Sequence, residues 1–472
     1  MEDAELTLEP GLATRHHSVE SQSRVRRRVL SLAWPVLVQQ YLILSVQLSD
    51  RYLAGNFLDE VAYQSAQTNA QYLGWTLACF TTLVSVGTTA LVARFVGAGD
   101  RNMAIKATNQ SILLAAVFGI GMSIVGLSTV DTLIGLLQLN GQTADFAVGY
   151  LRPLLTLYPF QMIEVAGIAC LVGAGDTRTG LFVLGGVALL NWPLAWGLMP
   201  ALGFVGIAWG TALSHTLGAC AVLSVLARGR AGLVWHVNGM RPDWELIWRL
   251  LWVSVPAAAD SMSLAAGQLW FLSIVNRLGD VASGAHGIAI GWEALGYLSG
   301  AAFGTAAMAL VGQNLGARRP DLAARSGWTA FALGCTMMCL MGVVFYALAP
   351  QMFALFCSTD KEAVVEAGVP VLRLVAFAMA PEACFIIFTY ALRGAGDTRV
   401  PVIFTWVGLL GIRIPLAYLL TSDYLDLGWL GLWRGANFGL LGAWLAMFAD
   451  LVVRGIFFLH RFAGGRWKRI QV

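Results

Sequence analysis

The sequence contains few charged residues and few cysteines. Only 12% of its 472 residues are Asp, Glu, Lys or Arg, whereas about 25% is usual in a soluble domain. This scarcity excludes an ordinary soluble globular protein. The seven cysteines form no Cys-x-x-Cys pair, and the sequence lacks metal-site spacings, a nucleophile elbow and a dinucleotide fingerprint. We therefore expect neither an enzyme nor a cofactor, and no nucleic-acid partner.

Apolar residues dominate the chain. They make up 57% of it, and the mean hydropathy is +0.68. Apolar runs of about twenty residues recur, and each can cross a bilayer core of about 30 Å. These features predict a polytopic membrane protein surrounded by lipid. We expect twelve spans at about 29–51, 66–93, 107–128, 150–172, 179–200, 203–226, 247–276, 284–311, 327–349, 371–393, 400–421 and 438–460.

The basic residues between the predicted spans fall mainly on one side, whereas the opposite loops are largely acidic. The positive-inside rule places the basic side in the cytoplasm. Both termini lie on that side, which agrees with an even number of spans. We therefore expect a multi-pass protein of the plasma (inner) membrane. Its cytoplasmic parts would be a flexible tail at 1–27, a linker at 228–246 and a basic tail at 463–472.

Two stretches of the chain nearly repeat each other. They are Leu171-Val-Gly-Ala-Gly-Asp-Thr-Arg-Thr-Gly180 and Leu392-Arg-Gly-Ala-Gly-Asp-Thr-Arg-Val-Pro401. Each lies between apolar runs and predicts a short polar turn from one helix to the next. Asp176 and Asp397 are placed to cap the N–H groups of the helix that follows.

The repeat extends beyond these turns. A shift of 221 positions also carries Pro35 onto Pro256, and a shift of 219 carries Gly97 onto Gly316. Several such matches in the same order indicate an internal duplication. The copies predict an N-lobe at 28–227 and a C-lobe at 247–462.

The predicted fold is all-α. Six spans per copy is an even number, so both copies enter the membrane in the same orientation. We therefore expect twelve transmembrane helices in two six-helix lobes, related by a pseudo-two-fold axis along the membrane normal. Two such lobes with a cleft between them are typical of transporters that work by alternating access.

Several ionisable residues fall inside predicted spans, where each costs several kcal/mol unless it is paired or hydrated. Glu382 lies about 15 Å into its span at about 1.5 Å per residue, which is near the midplane. Arg413 lies about as deep in the next span. The two can form a buried pair, acting either as a coupling switch or as a static strut. Other candidates within spans are Glu164, Asp260, Glu293 and Asp450.

Asp50 lies at the end of the first predicted span. Counted from Arg28 it lies about 33 Å along the helix, which corresponds to the outer surface. This count favours a solvated loop acid beside Arg51. A longer or tilted first helix would instead keep Asp50 facing a cavity.

The chain resembles the multidrug and toxic compound extrusion (MATE) family over nearly its whole length outside the tails. The resemblance is carried by Pro35, by both repeated turns, and by five further segments in the same order. These segments are Ser49-Asp50-Arg-Tyr-Leu-Ala-Gly55, Val92-Ala-Arg-Phe-Val-Gly-Ala-Gly99, Gly284-Ala-His-Gly-Ile-Ala289, Val311-Gly-Gln-Asn-Leu-Gly-Ala317 and Ala391-Leu-Arg-Gly-Ala-Gly396.

The resemblance implies a secondary antiporter that exports organic, often cationic, compounds in exchange for H⁺ or Na⁺. Asp50 matches the acid of the family's N-lobe coupling site, and Asn191 and Thr211 match polar members of that site. A second acid present in some members would fall near Ala195, so this chain departs from a two-carboxylate proton site.

The resemblance also implies a C-lobe coupling site. Glu382 matches the acid that belongs to the cation site of other members, and is the place for a Na⁺ ion if one binds. Its usual partner would fall near Leu264, but Asp260 lies one turn away on the same face. Glu293 resembles an acid found in part of the family, and Arg413 completes the set of charges.

Two other functions stay open at this point. A lipid-linked-intermediate flippase of the same superfamily would need a cationic cavity, and an organic-anion exporter would use a charge such as Arg413. A membrane-embedded enzyme would need a nucleophile, metal set or acid pair near the interface, and none is visible. For the antiporter we expect a monomer with a small organic molecule as its substrate.

Overall fold

The computed structural model describes residues 21–57, 74, 77–136, 141–355, 362–426 and 432–470, and most of these residues are helical. The helices of the first half are α1 (Gln22–Phe57), α2 (Thr82–Ala98), α3 (Arg101–Leu136), α4 (Gln142–Thr156), α5 (Tyr158–Ala174), α6 (Thr177–Leu202) and α7 (Phe204–Ala227). Those of the second half are α8 (Trp244–Asn276), α9 (Asp280–Gly316), α10 (Pro320–Ala354), α11 (Glu362–Gly394), α12 (Arg399–Gly408), α13 (Ile414–Thr421) and α14 (Gly439–Ala463). Strands β1 (Tyr424–Asp426) and β2 (Leu432–Arg434) pair antiparallel before α14.

The predicted number of spans is confirmed. In the described part of the chain, eleven helical stretches are long and apolar enough to cross a membrane, and the bent pair α4–α5 makes a twelfth. The helix that ends with α2 is continuous from Leu77, and α12 and α13 together form one span. The predicted span at 66–93 begins outside the described residues, and residues 1–20 and 471–472 of the predicted tails also lie outside them.

Proline lies at the break in one span and beside the distorted turn of another. Helices α4 and α5 meet at an angle of 52°, and Pro159 lies in the first turn of α5. Proline donates no backbone hydrogen bond and clashes with the preceding turn, so a helix bends there. Between α12 and α13 the segment Leu409–Arg413 forms a turn of π-helix just before Pro415. Such widened turns are a usual cause of helix distortion at functional sites.

The buried apolar residues form a core in each lobe, and the first helix of each lobe begins in the core of the other. Val29 and Leu32 of α1 belong to the core built mainly by α9, α10, α11 and α14. Leu246 and Leu250 of α8 belong to the core built mainly by α2, α3 and α5. The two lobes therefore support each other through the starts of α1 and α8.

The lobes also meet through the repeated turns. Arg94 of α2 donates to the carbonyl oxygen of Ala395 at 2.8 Å and to that of Ile470 at 2.9 Å. Gln313 of α9 donates to the carbonyl oxygen of Gly173 at 2.8 Å. Arg94 and Gln313 correspond under the shift of 219 positions. Each repeated turn thus accepts a hydrogen bond from the equivalent position of the other lobe, which closes the molecule at this end.

Glycine makes this contact possible. A Cβ atom at Gly316 would overlap the carbonyl oxygen of Arg94, and one at Gly97 would overlap the carbonyl oxygen of Gln313. We expect Gly316→Val to force α2 and α9 apart. The substitution should destabilise the contact between these two helices by about 1–3 kcal/mol. Spin labels at the exposed positions Asn102 and Asp321 should then report longer distances between the lobes.

The matched control for this variant is Gly121→Val. Gly121 lies on α3, and no atom of the described residues lies within 4 Å of the position that a Cβ atom would take there, so the distance distribution should stay that of the wild type. An unchanged distribution in Gly316→Val would show that the α2–α9 contact does not hold the lobes together.

Candidate functional site

The N-lobe encloses a buried carboxylate. Asp50 of α1 is only 3% exposed. Its Oδ2 atom accepts hydrogen bonds from the Thr211 hydroxyl at 2.8 Å and from the Tyr150 hydroxyl at 3.2 Å. Asn191 donates to Thr211 at 2.8 Å and accepts from Ser49 at 3.0 Å. The structure thus brings together the three residues that the sequence places in an N-lobe site.

The position of Asp50 corrects the count along the first helix. Helix α1 runs unbroken for 36 residues, from Gln22 to Phe57, and α4 and α7 cover Asp50. It is therefore not a solvated loop acid. Tyr150 was missed, since no sequence signal distinguishes it from other tyrosines at helix ends. At the place of the family's second acid, Ala195 is fully buried and lies directly against Gly210.

The hydrogen-bond donors of Asp50 are polar but uncharged. Thr211 and Tyr150 both offer it neutral hydroxyl groups, and among the described residues its buried Oδ1 atom has no hydrogen-bond partner. A carboxylate in such a place gains from binding a proton or a small cation, because either neutralises a charge that the interior solvates poorly.

The C-lobe contains a second and larger group of buried charges. Glu382 of α11 is 3% exposed, and in the part of the chain that the structure describes its Oε2 atom has no hydrogen-bond partner. Glu293 of α9, which is partly buried, lies close enough to interact with it electrostatically, as do Arg413 and Arg454. The sequence prediction that Glu382 and Glu293 share one site agrees with this geometry.

The predicted pair of Glu382 with Arg413 is wrong. Arg413 donates from Nε to Asp450 at 2.8 Å and from Nη1 to Gln268 at 2.8 Å. Arg454 also donates to Asp450, at 2.6 Å from Nε. The π-helical turn directs Arg413 inward, where α14 presents Asp450 between the two guanidinium groups. Arg454 was missed, although a charge one helical turn from Asp450 in a span is a signal that could have found it.

Asp260 belongs to a different part of the C-lobe. It is fully buried and accepts a hydrogen bond at 2.7 Å from Arg393, so it does not substitute for the family's acid beside Glu382. The repeat offered a signal for Arg393, because the equivalent position of the first repeated turn is Val172. The mismatch marks a charge that only the second lobe carries.

A cavity of about 200 Å³ lies between the lobes beside this pair. Thr82 of α2 lines it on one side, and Asp260, Tyr297 and Arg393 line it on the other. Tyr297 interacts electrostatically with Arg393, Asp260 and Glu382. The cavity therefore connects the lobe interface with the buried charges of the C-lobe.

The aspartates of the repeated turns lie outside the spans and differ in their environment. Burial raises the pKa of Asp176, but hydrogen bonds from Thr179 and Arg230 outweigh it, and the pKa lies below its ordinary value. Burial dominates at Asp397, so that its pKa is raised despite its hydrogen bond from Arg461 at 2.9 Å. The Thr179 N–H donates to Asp176 at 3.1 Å, which confirms the predicted cap at Asp176, whereas the N-cap of the helix after Asp397 is Thr398.

Two like-oriented lobes with a cavity between them, and ionisable groups buried within each lobe, define a membrane transporter. The MatE family model matches residues 35–196 and 256–419, one stretch in each half. The chain therefore belongs to the multidrug and toxic compound extrusion (MATE) family.

Relatives of known sequence agree over most of the chain. A probable multidrug resistance protein NorM of Thermotoga maritima is 27% identical over 466 residues, covering 96% of this chain and 95% of the relative. The multidrug resistance protein PmpM of Pseudomonas aeruginosa is 25% identical over 431 residues, covering 88% of this chain and 89% of the relative.

Solved structures share the fold. A MOP superfamily transporter from Pyrococcus furiosus, described as having a binding pocket of reverse polarity, superposes with a TM-score of 0.85 at 19% identity, over 94% of this chain and 95% of its own. An outward-facing multidrug resistance MATE transporter superposes with a TM-score of 0.85 at 18% identity, over 94% of this chain and 97% of its own.

Proposed function

We propose that the protein is a secondary antiporter that exports organic cations in exchange for protons. The observation that carries this proposal is Asp50, a carboxylate buried in an N-lobe pocket where neutral hydroxyl groups donate to it. The names of the relatives support the substrate class, since NorM of Thermotoga maritima and PmpM are both called multidrug resistance proteins.

The donors around Asp50 favour a proton over Na⁺. Thr211 and Tyr150 both point hydrogen atoms at Oδ2, whereas a metal cation needs several oxygen acceptors turned towards it. The carboxylate would take up a proton while its cavity faces the outside and release it when the cavity opens to the inside. Na⁺ stays the alternative coupling ion, and transport under a sodium gradient separates the two.

A second candidate coupling site is Glu382 in the C-lobe. Glu382 and its neighbour Glu293 form a pair of like charges, and among the described residues one oxygen of Glu382 has no hydrogen-bond partner. Such pairs of carboxylates hold a shared proton or a cation. Arg413 and Arg454 lie nearby, but Asp450 engages both. Glu382 is therefore the place where Na⁺ would bind if the C-lobe carries the coupling.

The geometry weakens the two rival substrates. An organic anion or a lipid phosphate needs cations that face the cavity and are free to bind it. Arg393 lines the cavity, but Asp260 neutralises it at 2.7 Å. Arg413 is likewise occupied, by Asp450 and Gln268. Tyr297 and Tyr390 line the same cavity and can present aromatic faces to a flat organic cation.

The closed contact between α2 and α9 suits alternating access. It seals the end of the molecule that carries the repeated turns, which the positive-inside rule places in the cytoplasm. The proposal therefore includes both termini on the cytoplasmic side of the plasma (inner) membrane. It also includes a monomeric transporter that needs no cofactor besides its coupling ion.

The proposal is tested with the purified full-length protein in liposomes loaded with a fluorescent organic cation. An inward proton gradient should drive export of the cation, whereas a sodium gradient alone should not. Sodium-dependent export that is lost in Glu382→Gln would move the coupling to the C-lobe. If neither gradient moves the cation, the antiporter proposal is wrong, and lipid-linked or anionic substrates come next.

A further inference from the structure

A buried pair of titratable groups lies beside the Asp50 pocket and has no role in the Asp50 or Glu382 site. His215 of α7 contacts Glu164 of α5, with 2.7 Å between Nδ1 and Oε2. The Glu164 side chain is 1% exposed, and its Oε1 atom has no hydrogen-bond partner within the described ranges. Gly218 leaves the space for this carboxylate, since a Cβ atom there would overlap Oε1.

The pair is adjacent to Asp50 through α7. His215 follows Thr211, the hydrogen-bond donor of Asp50, by one helical turn, or about 6 Å. Glu164 and Asp50 are the charged groups that interact electrostatically with His215 among the described residues. The other polar groups of the neighbouring Asp50 site are Asn191 of α6 and Tyr150 of α4.

We infer that Glu164 and His215 form the second proton-binding site of the N-lobe, next to Asp50. The inference rests on the proposed proton antiport and deepens it. Ala195 stands where some family members have a second acid. In this protein the second carboxylate is Glu164 on α5 instead, and the imidazole of His215 carries the proton of this site.

The chemistry needs only proton binding and release. In the loaded state both ring nitrogens of His215 carry a proton, and Nδ1–H donates to the Glu164 carboxylate as an imidazolium–carboxylate pair. In the empty state the Nε2 proton has gone to water on the open side, leaving a neutral imidazole whose Nδ1–H still donates to the carboxylate. The His215 side chain is 19% exposed, so the proton can leave without unpacking Glu164.

The geometry also distinguishes this pair from a static strut. A buried strut satisfies both carboxylate oxygens, as Asp450 does with two guanidinium groups. Glu164 instead has one satisfied oxygen, and its partner is a side chain that changes charge near neutral pH.

The test counts protons released per bound cation. The full-length protein in weakly buffered detergent is titrated with a fluorescent organic cation, and a pH indicator reports release between about pH 5 and 8. All variants carry Glu382→Gln, so that the C-lobe carboxylate does not contribute. By linkage, Glu164→Gln and His215→Asn should each release about one proton fewer than this background.

Thr216→Val is the matched control, because Thr216 neighbours His215 on α7 and its hydroxyl donates to a carbonyl oxygen of its own helix. It should release the same number of protons as the background. An equal number in Glu164→Gln and His215→Asn would overturn the second site while leaving proton antiport intact. Failure of the background protein to release any proton on binding the cation would instead contradict the proposed function.

Thermal unfolding of each variant accompanies the proton count. If one variant does not fold, the other decides the question. If both fail to fold, the background protein decides it, because release of about two protons per cation supports two N-lobe sites and release of about one refutes the second.

Discussion

Asp50→Asn is expected to reduce pH-driven export of an organic cation to the level of liposomes without protein. The amide has nearly the shape of the carboxylate and can keep its hydrogen bonds to Thr211 and Tyr150. It cannot take up or release a proton in the working pH range. The bound cation would then lose the proton that competes with it at Asp50, so the proton gradient would no longer drive its release from the N-lobe.

In the same variant, protonation at position 50 should no longer make the affinity for the cation depend on pH. Equilibrium binding measured at several pH values checks this second expectation. Asp145→Asn is the matched control, because it makes the same chemical change at an exposed position of α4. Full pH-driven export by Asp50→Asn would show that the N-lobe pocket does not couple transport.

Asp450→Asn is expected to lower the free energy of unfolding by about 3–5 kcal/mol. Asp450 is fully buried and accepts hydrogen bonds from Arg413 and Arg454. Without its charge, two guanidinium groups face each other in the C-lobe core. Glu382 and Glu293 lie near the two arginines and offset part of this repulsion. The loss of stability should therefore fall at the lower end of the range given above.

Unfolding in detergent micelles by heat or denaturant measures the effect. The control is Asp131→Asn, which removes an exposed ion pair with Arg152 at 3.4 Å and should cost about 0–1 kcal/mol. Adding Arg454→Met to Asp450→Asn should recover stability, because it removes one uncompensated charge. Equal stability of Asp450→Asn and the wild type would mean that water or a neighbouring carboxylate already neutralises the two arginines.

The repeated turns show how far a sequence pattern can lead. Their similarity predicted two lobes of the same orientation, and the twelve described spans confirm that architecture. The pattern could not predict that Arg94 and Gln313 each reach the turn of the other lobe. Those hydrogen bonds depend on the approach of α2 to α9, which the glycines permit but do not encode.

Asp50 shows where counting along a helix fails. The count began at Arg28, but α1 begins at Gln22 and continues to Phe57. Whether a carboxylate so far along the helix is solvated depends on which helices cover it. Here Tyr150 and Thr211 come from α4 and α7. The sequence left a longer or tilted first helix open as the alternative, and the resemblance to the family favoured that alternative before the structure confirmed it.

The sequence by itself determined the class of protein, the number of spans and the two-lobe plan. These features follow from local composition and from an internal repeat, and neither depends on long-range packing. The tertiary structure decided how the buried charges pair. Arg413 joins Asp450, Arg393 joins Asp260 and His215 joins Glu164. The physical reason is that partners far apart along the chain are selected by helix packing, and a buried charge accepts whichever opposite group that packing brings within hydrogen-bond distance.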